Sequence, residues 1–144
     1  MITMPKQLSL CKKIAEEAHK GQFRKDGITP YITHPIAVAE MCRADFAKCI
    51  ALLHDVLEDT DETVESLRLK GVEDGILCHV ELLSKSKNQS YDDYINNLIE
   101  GWGMTEVKIF DIIHNLSDDP SERQKEKYLK ALGRLIRHAF DCAE

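Results

Sequence analysis

The sequence predicts an all-α protein of one domain. Apolar residues recur three and four apart along the chain, no stretch alternates with period two, and the breaks between periodic stretches carry the Gly, Pro, Ser and Asp residues that end and begin helices. A chain of 144 residues is the size of one ordinary domain and buries enough apolar surface for a core without cross-links. One domain over 1–144 with one site is therefore expected.

The first helix is expected over 7–20, with Leu8, Cys11, Ile14, Ala15 and Ala18 on one face and Gly21 as its C-terminal cap. A polar loop over 22–33 carries Gly27 and Pro30. His34-Pro35 reads as a helix start, since proline suits the first turn and Thr33 or His34 can cap it, and this helix ends near Arg43. The segment 44–57, ADFAKCIALLHDVL, is apolar almost all round, which marks a helix through the middle of the domain. It leaves on the charged run Glu58-Asp59-Thr60-Asp61. Thr60 or Asp61 is placed to cap a helix over 62–69 that Gly71 ends, and another helix follows over 76–83.

After a polar loop over 84–89, Ser90-x-x-Asp93 has the form of a capping box opening a helix to Ile99, stopped by Gly101 and Gly103. A helix over 105–116 comes next. The segment SDDP breaks the chain, and Ser121-x-x-Gln124 caps a last amphipathic helix to Phe140, whose apolar stripe reads either as core or as a face for a second copy. The sequence sets no oligomeric state.

Composition narrows the function classes. Hydrophobic residues at 43% and charged residues at 31% give a soluble globular balance. The formal net charge of −6 argues against a general nucleic-acid binder, which needs clustered Lys and Arg to displace counterions from phosphates. Five cysteines without C-x-x-C spacing suggest neither a disulfide framework nor a zinc ribbon, and read as reduced, mostly packed thiols. No stretch approaches the roughly 20 apolar residues of a membrane span, and no targeting segment is evident, so a cytoplasmic protein without membrane partners is expected.

His54 and Asp55 stand together on an otherwise apolar helix, where unpaired polar groups are costly. A divalent cation would resolve that cost, because neutral imidazole and ionised carboxylate are both ligands for Mn, Fe, Zn or Mg. From these two residues alone a hydrogen-bonded His–Asp pair at a helix end is the favoured reading. His34 sits at a helix start, as a ligand or as a cap. Asp111 lies on the largely apolar VKIFDIIHN, as a ligand or as an ion-pair partner of Lys108. Glu58 and Asp59 follow His54 by four and five positions, so Glu58 falls near the His54 face, unless the two are simply a solvated helix end.

Four blocks stand out along the chain: AHKGQFRKDG from Ala18, PYITHPIAVA from Pro30, ALLHDVLEDT from Ala51 and VKIFDIIHN from Val107. With them the chain resembles the HD-type hydrolases, and within them the RelA/SpoT-type guanosine 3′,5′-bis(diphosphate) hydrolase domain and its small stand-alone relatives. The blocks occur in family order and span most of the chain. The resemblance implies an HD-type helical bundle around one metal ion, manganese in this family, held by His34, His54, Asp55 and Asp111. It implies that Glu58 and Asp59 position or deprotonate the attacking water. Arg24 and Lys25 match the family's basic pair near the nucleotide, Asn115 its sugar-contacting asparagine, and Lys108 a phosphate-holding lysine. His114 matches a family position but is read as structural.

The implied function is metal-dependent removal of the 3′-diphosphate from guanosine 3′,5′-bis(diphosphate) or a related phosphorylated nucleotide. Such chemistry needs charge neutralisation on phosphoryl oxygens and an activated water, which one open-sited metal supplies, with an acidic pair as general base. The family's Ala-Asp-Arg reads Phe110-Asp111-Ile112 here, and the loop Gly27-Ile28-Thr29-Pro30 is longer than the usual Gly-x-Pro. The arginine missing from the helix that faces the site leaves a different nucleotide substrate open, and a non-catalytic metal-stabilised nucleotide-binding module is the further alternative. Leu83-Ser84-Lys85 is only loosely similar to a Thr-Lys segment of the family, so Lys85 is given no role.

Overall fold

The computed structural model describes residues 2–101 and 104–143, the last two by backbone alone. Within them the chain forms α1 (Met4–Ala18), α2 (Thr33–Met41), α3 (Asp45–Leu53), α4 (Val56–Asp59), α5 (Val64–Leu69), α6 (Asp74–Leu82), α7 (Tyr91–Glu100), α8 (Thr105–Leu116) and α9 (Glu122–Ala143). Among the described residues the β-type pairing is a single isolated bridge, Phe23 to Pro30, which pinches the loop after α1. The all-α class is as expected.

Several boundaries differ for local reasons. Helix α1 starts at Met4, ahead of the expected position, because Pro5 fills a first-turn position that needs no N–H donor. Gly21 takes φ +81° just past its end, the left-handed conformation expected of it. Helix α2 has no side-chain cap: the Thr33 hydroxyl donates backwards to Pro30 O at 2.8 Å, and the His34 ring turns inward. Thr63, not Thr60 or Asp61, caps α5. Its hydroxyl accepts from Ser66 N at 3.0 Å while Ser66 Oγ accepts from Thr63 N at 2.8 Å, and the Thr60 hydroxyl instead donates to Val56 O. Ser90 Oγ accepts from Asp93 N at 3.1 Å, and Ser121 with Gln124 forms the reciprocal box before α9. Gly103 and the Cys142 side chain lie outside the described residues.

The larger correction is at 44–57, which is not one helix. It breaks at His54-Asp55 into α3 and α4. A continuous helix would place the Asp55 N–H on Ala51 O. Here the His54 N–H and its Nδ1 both turn to that carbonyl, the ring at 2.5 Å, and Asp55 becomes the first residue outside α4. The break swings two side chains out of the helical pattern at the place where they meet α8.

Helix α3 packs against α1, α2, α6 and α8, and its Cys49, Ile50, Ala51 and Leu53 are fully buried. An Ile50→Ala variant is expected to lose about 2–5 kcal/mol of stability, as large-to-small changes in packed cores do. A urea titration checks this: the midpoint should fall with unchanged slope. On α9, Ala131 and Leu135 join the core, whereas Leu129 and Phe140 are 59% and 70% exposed, so its apolar stripe is core only in part. No helix among the described residues is long and apolar enough to cross a membrane.

Candidate metal centre

The inner end of α2, the α3–α4 break and the middle of α8 converge, because α2 and α3 both pack on α8. His34 comes from α2, His54 and Asp55 from the break, and Asp111 from α8. Four donor atoms, one from each, lie within 4.8 Å of one another. His34 Nε2 is 2.9 Å from Asp111 Oδ1 and 3.5 Å from Asp55 Oδ2; His54 Nε2 is 3.3 Å and 3.1 Å from the same two oxygens. Metal bonds of about 2.1 Å put neighbouring donors of one coordination sphere about 3.0–3.4 Å apart. The observed spacing is that of such a sphere, and two imidazoles with two carboxylates suit a divalent transition metal.

The charges within the cluster compensate one another. Burial opposes a charge on His54, yet Asp55 and Asp111 hold its pKa well above the ordinary histidine range. Burial likewise opposes the Asp111 charge, but Lys108 and His54 hold its carboxyl well below the usual range. Asp55, against its burial, is brought down to about 2, chiefly by His54. In the metal-free protein His54 thus carries a proton between two ionised carboxylates, a positive charge whose place a bound cation would take, leaving the ring a neutral donor.

Lys108 does pair with Asp111, Nζ to Oδ2 at 2.6 Å, as the plainer reading of Asp111 expected. That pair occupies one oxygen and leaves Oδ1 facing the imidazoles. Asn115 Nδ2 donates to the same Oδ1 at 3.0 Å, and its Oδ1 accepts from Arg24 at 3.1 Å. Arg24 also pairs with Asp118 at 2.8 Å, and Lys25 donates to Asp119 O. Arg24, Lys25 and Asn115 line one cleft of about 210 Å³ with Phe23, Tyr31 and Tyr128. A second cleft of about 390 Å³ adjoins it at Tyr31, Asn115 and Tyr128, and opens onto Asp55, Asp111, Lys108, Glu58 and Asp59. Burial raises the carboxyls of both Glu58 and Asp59 above the ordinary range, with Asp55 adding to it. Glu58 Oε1 accepts from the Lys85 N–H, which fixes its direction.

Three residues to which the sequence gave no role stand at the site. Tyr31 OH donates to Asp55 Oδ2 at 2.6 Å and lies 3.3 Å from Asp59 Oδ2; its hydroxyl marks no pattern in sequence. His114, read as structural, faces His34 with Nδ1 to Nδ1 at 2.7 Å, so one proton lies between the rings. If His34 Nε2 offers its lone pair, that proton belongs to His34 Nδ1 and His114 accepts it. Position 114, one turn from Asp111 on α8, was the signal available. Lys85 lines the second cleft. The arginine expected by the resemblance is absent from α8, and Ile112 in its place is fully buried and lines neither cleft.

Fold and site together define a class: a helical protein built around a buried two-histidine, two-aspartate cluster that fits a divalent metal ion. No family model matches the chain. By sequence and fold it is nevertheless SpoT-like. It is 34% identical over 131 residues to the guanosine-3′,5′-bis(diphosphate) 3′-pyrophosphohydrolase of Borreliella burgdorferi, covering 78% of this chain and 19% of that protein. It is 46% identical over 67 residues to the bifunctional (p)ppGpp synthase/hydrolase SpoT of Escherichia coli, covering 43% and 9%. The chain therefore spans less than a fifth of these relatives. Its fold matches that of a metazoan ortholog of SpoT that hydrolyzes ppGpp, with a TM-score of 0.72 at 22% identity, over 92% of this chain and 84% of that one.

Proposed function

We propose that residues 1–144 act as one HD-type metal-dependent phosphohydrolase domain, cytoplasmic, that removes the 3′-diphosphate of guanosine 3′,5′-bis(diphosphate) or a closely related nucleotide. The observation that carries the reading is the coordination-like spacing of His34, His54, Asp55 and Asp111, of which Asp55 and Asp111 line a cleft together with Glu58 and Asp59. These four residues hold the metal, manganese by the resemblance. When bound it neutralises phosphoryl charge and makes a water more acidic.

The chain's own groups supply the rest. Glu58, with Asp59 beside it, takes a proton from the attacking water, and a raised carboxyl pKa suits a base working near neutrality. The water oxygen bonds to the phosphorus next to the ribose, the bond from that phosphorus to the 3′ oxygen breaks, and the 3′ oxygen leaves with a proton. A nucleoside 3′-hydroxyl and pyrophosphate are the products. Arg24, Lys25 and Asn115 hold the nucleoside end, with Arg24 drawn 5.6 Å from the centroid of Tyr31. Lys108 keeps Asp111 ionised and presents its ammonium group to the phosphate.

The test is turnover of guanosine 3′,5′-bis(diphosphate) by protein loaded in turn with Mn, Zn, Fe, Co and Mg, with pyrophosphate identified as product. Absence of product with every metal removes the reading. Recovery of tightly bound, unchanged nucleotide would establish a binding module instead. A second expectation concerns His114. Loss of a partner that orients a ligating histidine costs about 10–100-fold in metal affinity. His114→Phe should show that loss in a metal titration, and His114→Asn, which keeps an acceptor near Nδ1, should recover most of it; wild-type affinity in the Phe variant would contradict the tautomer assignment.

A further inference from the structure

The cleft over the metal cluster has a basic half that the chemistry above leaves without a task. Lys127, on the first turns of α9, enters it between two rings, with Nζ 4.6 Å from the Tyr91 centroid and 5.0 Å from that of Tyr128. Lys85 and Lys108 line the same cleft. Lys108 is compensated by Asp111. Lys85 Nζ donates to Ser86 O at 3.1 Å, and among the described residues neither Lys85 nor Lys127 has a carboxylate at ion-pair distance. Burial, and then Lys108, Lys85 and Arg123, all push the Lys127 ammonium below the ordinary lysine range, with no acid acting against them.

Like charges gathered with no carboxylate at ion-pair distance cost energy in the free protein, and an anion held between them removes that cost. Tyrosine faces hold a lysine head in place without neutralising it. The metal centre and the Lys85–Lys127 pair share one cleft, so an extended anion entering the metal-loaded protein would meet two attracting centres in series. Arg24 and Lys25 belong to the adjoining cleft, beyond Tyr31 and Tyr128, and do not compete for this place.

We infer that Lys127, together with Lys85, binds the outer phosphate of a diphosphate whose inner phosphate faces the metal cluster, so that the site selects pyrophosphoryl esters over phosphate monoesters. This rests on the phosphohydrolase reading for the inner phosphate, while the lysine pair itself stands on its own geometry. Lys127 is then a specificity-determining residue.

The probes are methylenediphosphonate and methylphosphonate, which resist hydrolysis, titrated calorimetrically into manganese-loaded protein. Wild type should bind the diphosphonate at least tenfold more tightly. A hydrogen bond to a charged group contributes about 1.5–3 kcal/mol, or about 10–100-fold. Lys127→Met keeps the aliphatic stem and should lose about that factor for the diphosphonate, with the monophosphonate changed less than about twofold. Lys130→Met, the control, removes an exposed lysine 3.5 Å from Asp92 and should change neither. Lys127→Gln serves if the Met variant does not fold.

Equal affinity of wild type for the two probes, or a Lys127 variant indistinguishable from the control, overturns the inference. With the nucleotide, Lys127→Met should raise KM about tenfold and leave kcat within about threefold. Turnover with a normal KM in the variant would sink this inference and leave the proposed function intact. Conversely, if wild type takes no metal or turns over no nucleotide, the same titration of metal-free protein still reads the lysine pair; Lys127-dependent diphosphonate binding there would uphold the subsite while the hydrolase reading fell.

Discussion

A His54→Ala protein is expected to come out of purification and metal loading without stoichiometric metal, and with turnover reduced by about 10³-fold or more. His54 is 3% exposed and touches both carboxylates of the cluster, so no solvent ligand has easy access to its place. Its loss removes one of two neutral donors and leaves Asp55 and Asp111 with a single imidazole between them. A bound metal contributes several kcal/mol of charge stabilisation in phosphoryl chemistry, and each 1.4 kcal/mol is a factor of ten in rate. Elemental analysis decides the first half: full occupancy in the variant would remove His54 from the ligand set. Far-ultraviolet circular dichroism guards the second, because His54 also ends α3 through Ala51 O. A folded, metal-free, inactive variant is the expected result.

The complementary experiment separates metal from base. In Glu58→Gln the side chain keeps its size and an oxygen that can accept from the Lys85 N–H, so the local structure and the four donor positions should persist. Only the ability to take a proton is lost. General-base catalysis contributes typically about 10²–10⁴-fold, and kcat should fall by that order with metal occupancy unchanged. Asp59→Asn is expected to fall less, because Asp59 Oδ2 is already engaged at 3.3 Å by Tyr31 OH and its carbonyl is tied to Gln22 Nε2 at 2.8 Å. If Glu58→Gln keeps wild-type kcat while Asp59→Asn loses it, the two roles are exchanged. If neither variant is impaired, the acidic pair is no part of the proton transfer.

The sequence by itself determined the helical class, because a period of three to four in apolar residues is local information and needs no tertiary partner to be seen. It also determined where most helices begin: Ser90 and Ser121 act through residues three positions away, within reach of any reading of the chain. The ligand candidates were legible for a different reason, since His34, His54, Asp55 and Asp111 are polar groups set in apolar helices, and their motifs resemble a known family. Tertiary structure alone decided the break at His54-Asp55, where a ring competing for Ala51 O overrides a helical pattern that runs straight through it. It alone supplied Tyr31, His114 and Lys127, whose partners lie 24, 80 and 36 positions away in the cases of Asp55, His34 and Tyr91. Contacts at such separations are fixed by how α2 and α3 pack on α8 and how α7 and α8 pack on α9, and packing is a property of the whole chain that no single stretch of it encodes.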